Sequence, residues 1–158
     1  MVKEEKPEIK CGDKIVLLPL VNKRKISNII CELDGVFLRS VARRPEFDRL
    51  VDKIADRAIV VTAYLGERAV GYCAFYMNDF VNNTAYITLI AVKEEYQNLH
   101  IGTTLIQYVK QAASVNGIHK IRLEVDKANA DGIRFYERNH FVIESEASEL
   151  SNYMACIL

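Results

Sequence analysis

The chain has no apolar run long enough to cross a bilayer as a helix, which removes an integral membrane helix from its readings. It lacks any interior stretch rich in glycine, serine and proline, and no internal repeat is visible, so nothing divides its 158 residues. It has no excess of either charge: 21 basic residues stand against 21 acidic ones, and no global attraction to nucleic acid or to a membrane surface follows. The runs Lys23-Arg24-Lys25 and Arg43-Arg44 read as solvated faces. The four cysteines, Cys11, Cys31, Cys73 and Cys156, show neither a metal-ligand nor a disulfide-framework spacing; they are read as reduced thiols, with no metal. Met1 to Lys10 are charged and lack the apolar core of a signal peptide. The expectation is a flexible N-terminal tail over residues 1–12, a single domain over residues 13–158, and a cytoplasmic location.

What is present is the composition of an ordinary globule, 50% hydrophobic and 27% charged. Ile15 to Leu18, ended by Pro19, fits a first strand. Asn22 to Leu33 places Ile26, Ile29, Ile30 and Leu33 at helical spacing and closes near Gly35. A second helix is expected from Pro45, with Pro45 in its first turn and Phe47, Leu50, Val51 and Ile54 as its buried stripe. Ala58 to Leu65 and Ala69 to Met77 are strands joined by the tight turn at Gly66-Glu67, followed by a polar loop from Asn78 to Asn83. Thr84 to Val92, "TAYITLIAV", is the third strand of that meander and the fourth of the chain, and its nearly continuous apolarity predicts cover on both faces. Helical spacing of Leu105, Tyr108, Val109, Ala112 and Ala113 runs from Ile101 to a stop at Gly117. Ile121 to Val125 reads as a strand, Ala130 to Asn139 as the last helix, and Phe141 to Ile143 and Tyr153 to Leu158 as closing strands. The order predicts an α/β (α+β) fold with a mixed, mostly antiparallel central sheet of about six to seven strands and about four flanking helices.

Between the third of these long strands and its helix lies "EYQNLHIGTTL", which carries almost no reactive side chain. A helix start offers backbone N–H groups without intrahelical partners and the positive end of the peptide dipoles. The amides of Leu99 to Thr104 can therefore hold a phosphate or pyrophosphate, with hydroxyls from Thr103 and Thr104. Taken alone, the stretch is equally an ordinary strand-to-helix connection. It has no Gly-Lys-Ser/Thr ending and no triple-glycine fingerprint, so nucleoside triphosphates and dinucleotides are disfavoured.

Two stretches together resemble the GNAT superfamily of N-acetyltransferases. That family's pyrophosphate loop is written Gln/Arg-x-x-Gly-x-Gly/Ala; Gln97 and Gly102 match it, and His100 replaces the first glycine. Its second signature, Asn-x-x-Ala-x-x-x-Tyr-x-x-x-Gly-Phe, is similar to "NADGIRFYERNHF": Asn129, Tyr136 and Phe141 fit, with Gly132 at the alanine position and His140 at the glycine position. His100 and His140 are read first as backbone substitutes, because histidine is enriched at positive φ, and second as ligand or catalytic groups.

The resemblance implies acetyl-CoA as donor, with its pantetheine beside the fourth strand at backbone groups of Ile90, Ala91 and Val92, where that strand parts from the fifth. It implies a diphosphate site at Gln97, Asn98, Leu99, His100, Ile101, Gly102, Thr103 and Thr104, with further cofactor contacts at Asn129, Phe135 and Tyr136. Tyr136 is implied as the catalytic proton donor to the departing thiolate; without the resemblance it is a core aromatic like Phe135. Thr84 to Val92 holds no carboxylate, so a general base is sought at Asp79 or Glu124, each otherwise a solvated or paired acid. Asn129 caps the last helix, binds the cofactor, or does both.

The acceptor is expected to be a primary amine of a small molecule, attacked directly in a ternary complex. The connection "DGVFLRSVARRPEF" offers Arg39, Arg43 and Arg44 for an acidic or phosphorylated acceptor such as an amino-sugar derivative; a protein N-terminus stays open. A non-catalytic acyl-CoA-binding regulatory or interaction module is the competing reading. Homodimerisation is considered through an exposed sheet end at "NYMACIL".

Overall fold

Residues 14–158 are described by a computed structural model; the expected tail of residues 1–12, and with it Cys11, lies outside the described residues. Seven strands form one sheet in the order β1-β2-β3-β4-β5-β7-β6. They are β1 (Ile15–Pro19), β2 (Ile59–Leu65), β3 (Arg68–Asp79), β4 (Thr84–Val92), β5 (Lys120–Asp126), β6 (Val142–Glu146) and β7 (Ser151–Ile157). Every neighbouring pair is antiparallel except β4–β5, which is parallel. The helices are α1 (Lys23–Glu32), α2 (Phe47–Arg57), α3 (Ile101–Val115) and α4 (Ala130–Arg138). The sequence expectation for the fold is met.

Two hydrophobic cores lie on the two faces of the sheet. On one, Ile101, Leu105, Ile106, Val109 and Ala113 of α3 pack with Phe75, Ile87, Ile121, Leu123 and Phe141. On the other, Ile26, Ile29 and Ile30 of α1 and Val51 and Ile54 of α2 pack with Val60, Tyr72 and Leu89. Strand β4 serves both cores, as its apolarity predicted, but by a route that pattern does not reveal. In the β3–β4 register Phe75 pairs with Ile87 and Ala74 with Leu89, so Thr88 is an extra residue. A bulge of this kind reverses the pleat. Ala85 and Ile87 therefore face α3, while Leu89 and Ala91, of the same parity, face α1 and α2.

The bulge also ends the pairing with β5. The parallel register runs only from Thr84↔Lys120 to Ile87↔Leu123, and beyond it the two strands diverge.

Two expectations are corrected. Pro45 is not in the first turn of α2, which begins at Phe47; its fixed φ serves the turn in which the Phe47 amide donates to the Arg44 carbonyl at 3.0 Å. The "NYMACIL" strand is not an exposed sheet end. The chain turns back after β6 and inserts β7 between β5 and β6, burying Met154 and Cys156, so the free edge on that side belongs to β6.

Helix α4 ends as the "NHF" sequence suggested. The His140 amide donates to Glu137 O and the Phe141 amide to Tyr136 O, both at 3.0 Å, with His140 at φ 69°: a Schellman motif closed by histidine instead of glycine. Left-handed backbone costs a side-chain-bearing residue about 1–2 kcal/mol, and glycine gives back about 0.5–1 kcal/mol in unfolded-state freedom. His140→Gly should thus leave stability unchanged or raise it by up to about 1 kcal/mol, whereas β-branched His140→Val should lower it by about 1–3 kcal/mol. Urea midpoints of the two variants check this.

Candidate functional site

From Thr88 onward β4 has a strand partner only on its β3 side, and β5 from Glu124 onward only on its β7 side. The space between them opens into a cleft of about 1180 Å³. Unpaired main-chain groups line such a gap as they line a sheet edge, and a ligand carrying amides can bond them as another strand does. Ile90, Ala91 and Val92 lie on this wall. Gly71 presses β3 against it, since a Cβ there would come 2.9 Å from the Ala91 carbonyl oxygen.

At the end of β4 the Gln97 side chain donates to the Val92 carbonyl oxygen at 3.0 Å, pinning the turn that follows. Asn98 and His100 both adopt left-handed backbone, φ 65° and 62°. Helix α3 then starts with His100 at the N-cap and no side-chain cap bond. Among the described residues, no amide from Asn98 through Thr103 donates to a protein acceptor. Two left-handed residues flanking Leu99 and the uncapped first turn make a concave row of donors, the geometry that holds anions. The Thr104 hydroxyl is turned away and donates to His100 O at 2.8 Å.

Helix α4 forms the adjoining wall. Its start is capped by Asn129, whose Oδ1 accepts from the Gly132 amide at 2.9 Å. A Cβ at Gly132 would lie 2.4 Å from the Asn129 amide, and one at Gly102 would lie 2.9 Å from the Phe135 ring. These two glycines bring both helix starts to the cleft. Tyr136 is half-buried, with ring centroids 5.2 Å from Phe135 and 5.9 Å from Phe141, and its hydroxyl has no protein partner among the described residues. Burial, with a smaller effect of the Cys73 thiol, pushes its phenol above the usual value of ten, so it stays protonated at neutral pH.

Of the residues proposed from sequence for the donor, Ile90, Ala91, Val92, Gln97, Asn98, His100, Ile101, Gly102, Thr103, Asn129, Phe135 and Tyr136 all line the cleft; Leu99 and Thr104 do not. Asp79 is elsewhere, holding the Asn82 amide at 3.1 Å in the β3–β4 hairpin. Glu124 lines the cleft; its Oε1 accepts from the Ser151 hydroxyl at 2.5 Å, and no cation pairs with it among the described residues. Tyr86 stands on the same wall, its phenol pushed up to about 12 by burial and by Glu124 and Tyr153. Arg39 and Arg44 line the cleft and Arg43 does not.

A family model described as Acetyltransferase (GNAT) family matches residues 28–141. The chain belongs to the acetyltransferase (GNAT) family. It is an acyltransferase that takes its acetyl group from acetyl-CoA. Among solved structures, this acetyltransferase is similar in fold to the PaiA N-acetyltransferase of Thermoplasma acidophilum, solved in complex with coenzyme A. The likeness has a TM-score of 0.75 and 20% identity over 92% of this chain and 99% of that one. It also resembles an IAA acetyltransferase of Bacillus cereus, with a TM-score of 0.72 and 17% identity over 92% and 100% of the two chains. The ribosomal-protein-S18-alanine N-acetyltransferase of Escherichia coli follows, with a TM-score of 0.71 and 16% identity over 91% and 94%. Among the described residues of the acetyltransferase, no cluster of His, Cys, Asp and Glu is suited to a metal ion, and no helix is long and apolar enough to cross a membrane.

Sequence reading missed Thr88, Tyr86, Leu150 and Ser151. Each reaches the cleft through register or a distant turn, and no local pattern marks them.

His100 occupies the conformation its family writes as glycine. His100→Gly should bind acetyl-CoA as tightly as the native chain or tighter, and His100→Ala more weakly. Titration calorimetry reads this; a loss of about tenfold, 1.4 kcal/mol, in the glycine variant gives the imidazole a ligand contact.

Proposed function

We propose that the acetyltransferase moves the acetyl group to a primary amine of a small molecule by direct attack in a ternary complex. The observation that carries this reading is the meeting, in one cleft, of uncapped amides, an unpaired strand edge and an unpartnered tyrosine hydroxyl. The amides from Asn98 to Thr103 suit the diphosphate of the donor, and the edge at Ile90, Ala91 and Val92 suits its pantetheine amides. Gln97 fixes the turn, and Asn129, Phe135 and Tyr136 form the opposite wall. Acetyl-CoA supplies the activated thioester. Tyr136 gives its proton to the departing thiolate, and Glu124, among the described residues the only cleft carboxylate outside both an ion pair and a helix start, takes one from the attacking amine.

Among the acceptor classes left open by the sequence, Arg44 supports an amine that carries an acidic group, such as an amino-sugar derivative. It lines the cleft with no ion-pair partner among the described residues, whereas Arg39 is occupied by Asp126. The non-catalytic module has less support, since Tyr136 and Glu124 both reach the cleft with groups suited to proton transfer. Cys31, Cys73 and Cys156 are all free thiols, which is consistent with a cytoplasmic setting.

Thiol release from acetyl-CoA against a panel of amines tests the reading, with calorimetry run alongside. Tight binding without release for any amine would favour the module. Tyr136→Phe should lower kcat by about 10²-fold or more while acetyl-CoA affinity holds. Because the phenol titrates above its ordinary value, kcat should show no alkaline fall from this group below about pH 10. A fall centred well below that assigns the limb to another residue.

A further inference from the structure

We infer that Arg39 and Asp126 form a clasp across the acceptor side of the cleft and position the amine there. The inference rests on the acceptor entering between the α1–α2 connection and the β5–α4 turn, as in the function proposed above.

Asp126 is the last residue of β5, beyond the point where β4 has left that strand. Its two carboxylate oxygens serve opposite walls. Oδ1 accepts from the Ala128 amide at 2.8 Å, and Oδ2 accepts from Arg39 Nε at 2.7 Å. Ala128 leads directly to the Asn129 cap and so to the helix that carries Tyr136. On the other side, Arg39 belongs to a loop already fixed by Asp34. One oxygen of Asp34 accepts from the Val41 and Ala42 amides at 2.8 and 3.0 Å, and the other from the Ser40 hydroxyl at 2.6 Å. A pull on Arg39 is thus transmitted to Phe37 and Leu38, which line the cleft beside it.

The position distinguishes the pair from an ordinary surface contact. It joins segments 87 residues apart at the place where the sheet has lost the strand-to-strand bonds that join such segments elsewhere. The Asp126 side chain is only 18% exposed, against 59% for Arg39. The Arg39 guanidinium, and after it the Ala128 amide, hold the Asp126 carboxyl below the usual range, so the pair is charged at neutral pH. With the clasp closed, the distance between the wall of Phe37 and Leu38 and the helix of Tyr136 is fixed, and an acceptor seated between them meets a preset gap.

The test uses the full chain as wild type, Arg39→Ala, Asp126→Asn and the double variant Arg39→Ala/Asp126→Asn, with benzylamine as the probe acceptor. Asp126→Asn keeps an oxygen for the Ala128 amide and loses the charge. In that variant, amide hydrogen exchange over residues 36–42 should quicken by about threefold or more. Both single variants should raise KM for benzylamine by about fivefold or more, with kcat falling by less, and the double variant should be no more impaired than either single one. Unaltered exchange over residues 36–42 in Asp126→Asn, or a double variant in which the two single losses multiply, overturns the clasp. If wild type binds acetyl-CoA but acetylates no amine, the transfer reading fails instead, and the exchange result alone upholds or overturns the clasp.

Discussion

The fold turns on one extra residue. Thr88 has no partner in β3, and its insertion rotates the second half of β4 so that Leu89 and Ala91 enter the opposite core from Ala85 and Ile87. A strand bent and rotated in this way cannot keep its hydrogen bonds on both sides. β3 follows it, because Gly71 allows the backbones to close, and β5 does not. The sheet is left with two unpaired edges facing each other in its middle. Buried main-chain groups must find partners, and here only water or an extended ligand with amides of its own can supply them.

A second set of main-chain groups is left open at the start of α3, and the contrast with α1 and α4 explains how. Asn22 and Asn129 cap α1 and α4, each giving its side-chain oxygen to a first-turn amide. A capped helix has already used its donors on itself. His100 gives α3 no such bond, and its left-handed backbone, repeated at Asn98, aims the free amides inward. The residue required here is one that tolerates positive φ and does not compete for those amides. Glycine meets both conditions at least cost; histidine meets them at a modest one, and repeats the arrangement at His140.

What the sequence made legible follows from the range of the interactions involved. The turn before α3, the cap at Asn129 and the close of α4 are local, each decided within a few residues, and their positions could be read from spacing. The bulge could not: "TAYITLIAV" alternates without a break in buried parity, and only the pairing with β3 exposes the skipped residue. The place of β7 between β5 and β6 is likewise a matter of long-range pairing, and its apolar run suits an inner strand as well as an edge. Pro45 was misplaced because its fixed φ suits a tight turn as well as a helix start. The Arg39–Asp126 contact has no sequence signal, since any arginine and any aspartate form it once the fold brings them together.

On the function we propose, the two halves of the cleft differ in kind. The donor half consists of main-chain groups placed by a bulge, a tight approach at Gly71 and left-handed residues, so many side chains can change while it persists. The acceptor half consists of side chains from three separate segments, with Phe37, Leu38 and Arg44 in one, Glu124 and Asp126 in another, and Leu150 and Ser151 in the third. The second and third segments are joined by the β5–β7 pairing, which sets Asp126 opposite Ser151, and by the Lys127 amide on Leu150 O, while among the described residues Asp126 on Arg39 ties the first segment to them. A single substitution among them alters what the cleft accepts without disturbing the sheet. Membership of the family consequently gives the donor, and the acceptor we propose is to be read from these side chains.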